Sequence, residues 1–173
     1  EANDYVIGCR QLIQNDIPIV GTHGIEKRGS QEDMYYKGGN VLHTLRQIVN
    51  DDKKFRSILR GIQSKFRHST VTGQEIENYL SKQSGHDLNR FFDQYLRRTD
   101  IPEISLKHKG KSLTFQFKNT VPGLSFPVKI TVNGNEKWIT PTPQPQTLVF
   151  EKPIESIAVD RNFYLDASIT SGN

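Results

Sequence analysis

The sequence holds a single cysteine, Cys9, among its 173 residues. One thiol excludes an intramolecular disulfide and any metal site built from several cysteines. Cys9 stands among Val6, Ile7 and Leu12, where a small buried hydrophobe is expected. Long apolar runs are also missing. Nothing approaches the roughly 18 consecutive apolar residues that a membrane-spanning helix needs, so no membrane segment is expected. Charge of one sign is scarce as well: 23 basic against 19 acidic side chains leave a net charge of +4. That balance is too mild and too mixed for a phosphate backbone, so no nucleic-acid partner is expected. Glu1-Ala2-Asn3-Asp4 has none of the features of a signal peptide, and the compartment stays open. The five histidines, His23, His43, His68, His86 and His108, include no pair at i, i+4, and none opens a His-Glu-x-x-His motif. Gly-x-Ser-x-Gly is absent, and Lys37-Gly38-Gly39 is not followed by the Lys-Ser/Thr of a phosphate loop. Asp51-Asp52 and Asp87/Asp93 are paired acids, but both pairs sit where helix caps and helix surfaces use acids.

What is present falls into two periodic regimes. The first is helical. Residues 1 to 14 read as one helix with Tyr5, Cys9, Leu12 and Ile13 on a common face, followed by an irregular connection from Asn15 to Arg28. Asn50-Asp51-Asp52 is a natural N-cap for a helix carrying Phe55, Ile58, Leu59, Ile62 and Phe66 on one stripe, with its basic residues on the solvated faces. Thr72-Gly73-Gln74-Glu75 is a full capping box, and that helix stops at Ser84-Gly85. Another starts at Asp87, buries Leu88, Phe91, Phe92, Tyr95 and Leu96, and is ended by Pro102.

From Glu103 onward the period changes to 2. Leu113, Phe115 and Phe117 alternate with polar residues, as do Phe126, Val128, Ile130 and Val132, after which Asn133-Gly134 marks a type I′ hairpin turn. Trp138-Ile139, Leu148-Val149-Phe150 and Ile157-Ala158-Val159 supply further short strands, with Pro141, Pro143 and Pro145 in a loop between two of them. Short strands with frequent turn signals predict an antiparallel β-sandwich. Its expected core is Leu113, Phe115, Phe117, Val128, Ile130, Val132, Leu148, Phe150, Ile157 and Val159.

One stretch stands apart, from Asp33 to Arg46. Ser30-Gln31-Glu32-Asp33 has a capping-box pattern, and Met34, Gly38, Val41, Leu45 and Ile48 recur at helical spacing as a buried stripe. Adjacent glycines in the second turn each cost about 1 kcal/mol relative to alanine, which predicts that something needs the room. Tyr35 is expected to point inward beside that gap, and Tyr36, on a face with Asn40, His43 and Gln47, to lie nearer water. His43 is expected to be a hydrogen-bonded surface residue.

Tyr35-x-Lys37-Gly38, the Leu/Val-rich helix after it, Asp52-x-x-Phe55-x-x-x-Leu59, Asp87-Leu88-x-x-Phe91-Phe92-Asp93-Gln94-Tyr95 and Ile101-Pro102-Glu103-Ile104 together resemble the aminopeptidase N type of zinc metallopeptidase, the gluzincin aminopeptidases of peptidase family M-one. The likeness is good from about Asn15 to Glu103 and looser beyond. It implies that Tyr35 is catalytic, donating a hydrogen bond to the oxyanion formed at the scissile carbonyl, while Lys37 and Gly38 are structural. A tyrosine phenol suits that task, since its ordinary pKa near 10 keeps the proton on at pH 7.

The family's zinc motif, His-Glu-x-x-His with a glutamate further on, and its amine-recognition motif Gly-x-Met-Glu-Asn are absent from this sequence. The resemblance therefore implies the C-terminal piece of a larger enzyme, beginning just after the third zinc ligand. The expected architecture is α+β. Residues 1–100 would be the end of a thermolysin-like helical catalytic domain and residues 101–173 a small immunoglobulin-like antiparallel β-sandwich. Zinc is expected in the parent enzyme and not in this chain, which alone would be inactive. The implied partners are peptide substrates, trimmed at their N-termini, and the missing N-terminal catalytic segment. A different class stays open, a non-enzymatic helical and β-sandwich binding or regulatory module without metal.

Overall fold

The computed structural model describes residues 2–21 and 32–172. Helices occupy the first hundred residues and strands the remainder, so the chain is α+β. Helix α1 spans Ala2–Gly8 and continues as a 3₁₀ turn over Cys9–Leu12, not as the single 14-residue helix the periodicity predicts. Ile13 is extended and ends it. Helix α2 runs Asp33–Val49 and stops at Asn50, which takes the left-handed conformation with φ 49°. Helix α3 spans Asp52–Lys65, where the Asp51 carboxylate accepts a hydrogen bond from the Lys54 backbone N–H. Helix α4, Gly73–Ser84, carries the reciprocal Thr72/Glu75 capping box and ends at Gly85 with φ 82°. Helix α5 spans Asn89–Arg97, with Asp87 accepting from the Asn89 N–H just before it.

The strands are β1 (Glu103–Lys109), β2 (Ser112–Lys118), β3 (Val128–Val132), β4 (Asn135–Ile139), β5 (Gln146–Val149), β6 (Ile157–Val159) and β7 (Asp166–Ser171). They form one sheet of order β5-β2-β1-β7 and a second of order β4-β3-β6. Asn133 and Gly134 both have positive φ, the requirement of the type I′ turn between β3 and β4. Ile104, Leu106, Leu113, Phe115 and Phe117 of the first sheet share one apolar core with Val128, Ile130, Val132 and Ile139 of the second. The expected sandwich core is thus present, with Leu148, Phe150, Ile157 and Val159 packed at its edge and not fully enclosed.

One feature of the predicted fold class is corrected. The sandwich is not wholly antiparallel, because β7 pairs parallel to β1, from Glu103↔Asp166 to His108↔Ser171. All six β7 residues are exposed or half-buried, with no buried position to alternate with, so the period-2 signal that marks the other strands is missing there.

Helices and sandwich are continuous through their cores. Phe91, Tyr95, Phe117, Phe126 and Tyr164 form a chain of ring contacts, with centroid separations from 4.7 to 6.4 Å. The fully buried Tyr95 hydroxyl donates to the Tyr164 carbonyl at 2.5 Å, and burial raises its pKa well above the ordinary phenol value. Fully buried Gln94 ties α5 to the segment before β1 and the loop after β2: its Nε2 donates to the Asp100 and Asn119 carbonyls, and its Oε1 accepts from the Val121 N–H.

Candidate functional site

Helix α2 presents two opposite faces. The inward one combines the apolar residues Val41, Leu45 and Ile48 with a row of buried polar side chains, Asp33, Lys37, Asn40 and Thr44. The spacing of that row, i, i+4, i+7 and i+11, is helical, so it forms one stripe beside the apolar one. Each member holds a different part of the chain. The Asp33 carboxylate accepts from the backbone N–H groups of Gln14 at 2.9 Å and Asn15 at 2.7 Å. Lys37 Nζ donates to the Arg98 carbonyl at 2.8 Å. Asn40 donates to the Val6 carbonyl and accepts from Arg10 Nε at 2.6 Å. Thr44 Oγ1 accepts from the Tyr164 N–H at 2.9 Å and donates to the Asn40 carbonyl.

A second contact comes from the segment after β6. His43 Nε2 lies 3.0 Å from Asn162 Oδ1, so His43 is hydrogen-bonded as expected but buried, not at the surface. Arg10 donates to the Arg161 and Asn162 carbonyls and lies over the Tyr164 ring. Burial lowers the Arg10 pKa and raises that of Tyr164. Burial would also raise the Asp160 carboxyl, but hydrogen bonds from Asn162 and Lys129 outweigh it and hold its pKa below the ordinary carboxylate value.

The opposite face of α2 carries Tyr35. Its side chain is 72% exposed, while Tyr36 is half-buried, so the orientation expected from the sequence is reversed. The cause is the polar stripe. With Lys37 at the centre of the inward face, Tyr35 two residues earlier is turned about 200° away. The expected stripe is corrected for the same reason: Met34 is exposed and Gly38 only half-buried, leaving Val41, Leu45 and Ile48 as its buried members. A Cβ added at Gly38 or Gly39 would meet nothing within 4 Å, so no packed neighbour among the described residues occupies the room these glycines leave.

The result is an open ledge. Tyr35 stands in the first turn of a 17-residue helix, next to bare backbone at Gly38 and Gly39, with Met34 and Leu42 also exposed. The Tyr35 and Tyr36 N–H groups bond to the Glu32 carbonyl, but Glu32 makes no side-chain cap, and the Ser30 of the expected capping box lies outside the described residues. A hydroxyl donor beside a helix N-terminus faces the positive end of the helix dipole, a setting that favours a developing negative charge. Among the described residues no three of His, Cys, Asp or Glu gather where they could hold a metal ion, so these residues do not fit a zinc site of their own. No helix among them is long and apolar enough to cross a membrane.

The sequence singled out Tyr35 by resemblance but gave no sign, beyond the polar stripe at helical spacing, of the contacts that Asp33, Asn40, Arg10 and His43–Asn162 make to hold its helix.

No protein-family model matches the chain. Its sequence is 23% identical over 135 residues to a leucyl aminopeptidase of Saccharolobus solfataricus, covering 74% of this chain and 17% of that protein. It is 23% identical over 160 residues to a probable aminopeptidase 1 of Sulfurisphaera tokodaii, covering 83% of this chain and 20% of that protein. Against aminopeptidase N of Lactococcus lactis subsp. lactis it is 31% identical over 72 residues, covering 42% of this chain and 8% of that protein. The fold is similar to that in a crystal structure of Legionella pneumophila aminopeptidase A in complex with aspartic acid. There the TM-score is 0.66 at 12% identity, over 95% of this chain and 22% of that one. The chain thus spans about a fifth of the length of the leucyl aminopeptidase, the probable aminopeptidase 1 and the aminopeptidase A. In its sequence matches and in its fold, the chain is aminopeptidase-like.

Proposed function

We propose that this chain is the C-terminal part of a zinc-dependent aminopeptidase of the aminopeptidase N type. In this reading residues 1–100 complete a thermolysin-like catalytic domain, residues 101–173 form the appended β-sandwich, and the whole enzyme removes N-terminal residues from peptides. Zinc would be held by side chains outside the described residues, where it would polarise the scissile carbonyl and activate water. The observation that carries the reading is the Tyr35 phenol, exposed in the first turn of α2 beside open backbone at Gly38 and Gly39.

The role of Tyr35 follows from its chemistry. As water adds to the scissile carbonyl, the carbonyl oxygen takes on negative charge. The Tyr35 O–H donates a hydrogen bond to that oxygen and keeps its own proton. A donor fixed before the reaction stabilises the charge more in the transition state than in the substrate, which is the condition for raising the rate. Gly38 and Gly39 leave the helix surface low, so a peptide can lie against it without meeting a side chain. Tyr35, Met34 and Leu42, with Tyr5 and Leu12 from the first helical segment, are exposed apolar side chains. Exposed apolar side chains of this kind suit contact with the catalytic segment that would hold zinc.

The test compares this chain with the full-length protein. Full-length protein should hydrolyse aminoacyl anilides and lose that activity to a zinc chelator. The isolated 173-residue chain should do neither and should retain no stoichiometric zinc after dialysis. Tight binding of about one zinc per isolated chain, or hydrolysis by it, would overturn the assignment.

A further inference from the structure

Two buried charges stand on α2 two residues either side of Tyr35: the carboxylate of Asp33 and the ammonium of Lys37, only 2% and 1% exposed. The helix end they belong to has no side-chain cap at Glu32. A first turn without a cap leaves backbone donors unpaired and frays readily. Here tethers replace the cap. Asp33 spends both carboxylate oxygens on the backbone N–H groups of Gln14 and Asn15, and Lys37 spends its ammonium on the Arg98 carbonyl.

We propose that Asp33 and Lys37 are positioning residues, a buried charged clamp that pins the first two turns of α2 to the segments at 14–15 and 98 and so fixes where the Tyr35 phenol stands. The inference rests on the oxyanion role of Tyr35 proposed above. Burying charge costs free energy, and apolar residues of similar volume often serve stability as well or better. An apolar pair would fill the space without direction. The charged pair specifies one register of the helix against two loops. Burial pushes the Lys37 ammonium below the ordinary lysine pKa, and the nearby Asp33 and Asp100 carboxylates oppose that shift. Nor does either charge face the ledge, so neither can meet a peptide there directly.

The first test uses this chain. In Lys37→Met, amide hydrogen exchange from Tyr35 to Gly38 should accelerate about tenfold or more, while Leu45 and Ile48 in the same helix change less than about twofold. Uniform acceleration along α2, or none, would overturn the clamp. Should Lys37→Met fail to fold, Asp33→Asn is read the same way. The second test is a kinetic cycle in the full-length protein. Lys37→Met should lower kcat about 10- to 100-fold with KM nearly constant, and in a Tyr35→Phe background its effect should shrink below about twofold. Equal effects in both backgrounds would mean that Lys37 does not act through Tyr35 and would overturn the inference. A silent Tyr35→Phe would instead overturn the oxyanion role, and the exchange pattern would then decide the clamp alone.

Discussion

Replacing Gln94 by leucine should destabilise the helical layer and the sandwich together, because it removes the hydrogen bonds that pin one to the other. The side chain is fully buried in α5 and bonds three backbone groups of the segment around β1 and β2. Leucine fills a similar volume, so the cavity cost is small. The orphaned groups carry the effect. The Val121 N–H, 2.7 Å from Gln94 Oε1 in a buried bond, has no water to turn to. A buried donor left unpaired costs about 1–3 kcal/mol. The Asp100 and Asn119 carbonyls belong to exposed residues and recover part of their loss from solvent. The expected total is about 2–4 kcal/mol, or a fall in Tm of about 4–16 °C for a chain of this size. Urea denaturation followed by far-UV circular dichroism and by tryptophan fluorescence reads both layers, since Trp138 lies in β4. Coincident transitions at lower urea with an unchanged slope are expected. A loss below about 0.5 kcal/mol would refute the account of Gln94 as the pin between the layers.

Three further outcomes follow from the same geometry. Phe115, 4% exposed between the two sheets, should cost about 3–5 kcal/mol when changed to alanine, measured by the same denaturation. Gly39→Ala should stabilise this chain by about 0.5–1 kcal/mol in thermal melts, because its Cβ meets nothing and alanine favours the helix. If the room is used by a peptide, the same change should lower activity of the full-length protein. The Asp160 carboxyl has a lowered pKa, so its contribution is fully present above the ordinary aspartate value and is lost as pH falls through the folded one. Asp160→Asn should therefore lower stability by about 1–2 kcal/mol at pH 7 and flatten the acid limb of the stability–pH curve.

How far the sequence could be read depended on the range of the interactions involved. The Thr72/Glu75 box, the Asp51 cap and the Asn133-Gly134 turn are decided by residues three or four positions apart, and all three appear as expected. Leu113, Phe115 and Phe117 alternate because one sheet face is buried, and that too is local. The orientation of Tyr35 is not. It depends on Lys37 and Asp33 finding partners 61 and 18–19 residues away, which turns a polar stripe inward against the usual preference for apolar burial. The β7 strand was invisible for a related reason: its parallel pairing with β1 is long-range and its exposed side chains leave no alternation. Burial of His43 likewise depends on Asn162, 119 residues further on.

The central claim, that Tyr35 stabilises an oxyanion, is tested most directly by Tyr35→Phe in the full-length protein, with Tyr36→Phe beside it. Tyr35 is largely exposed, so losing its hydroxyl removes no buried bond, and stability should hold within about 0.5 kcal/mol. One oxyanion donor is worth about 10²- to 10³-fold in kcat, with KM changing far less because the ground-state carbonyl carries little charge. Tyr36→Phe, on the half-buried neighbour, should leave kcat nearly unchanged. Retention of most activity in Tyr35→Phe would contradict the claim, and abolition by Tyr36→Phe alone would place the donor one residue further along the helix.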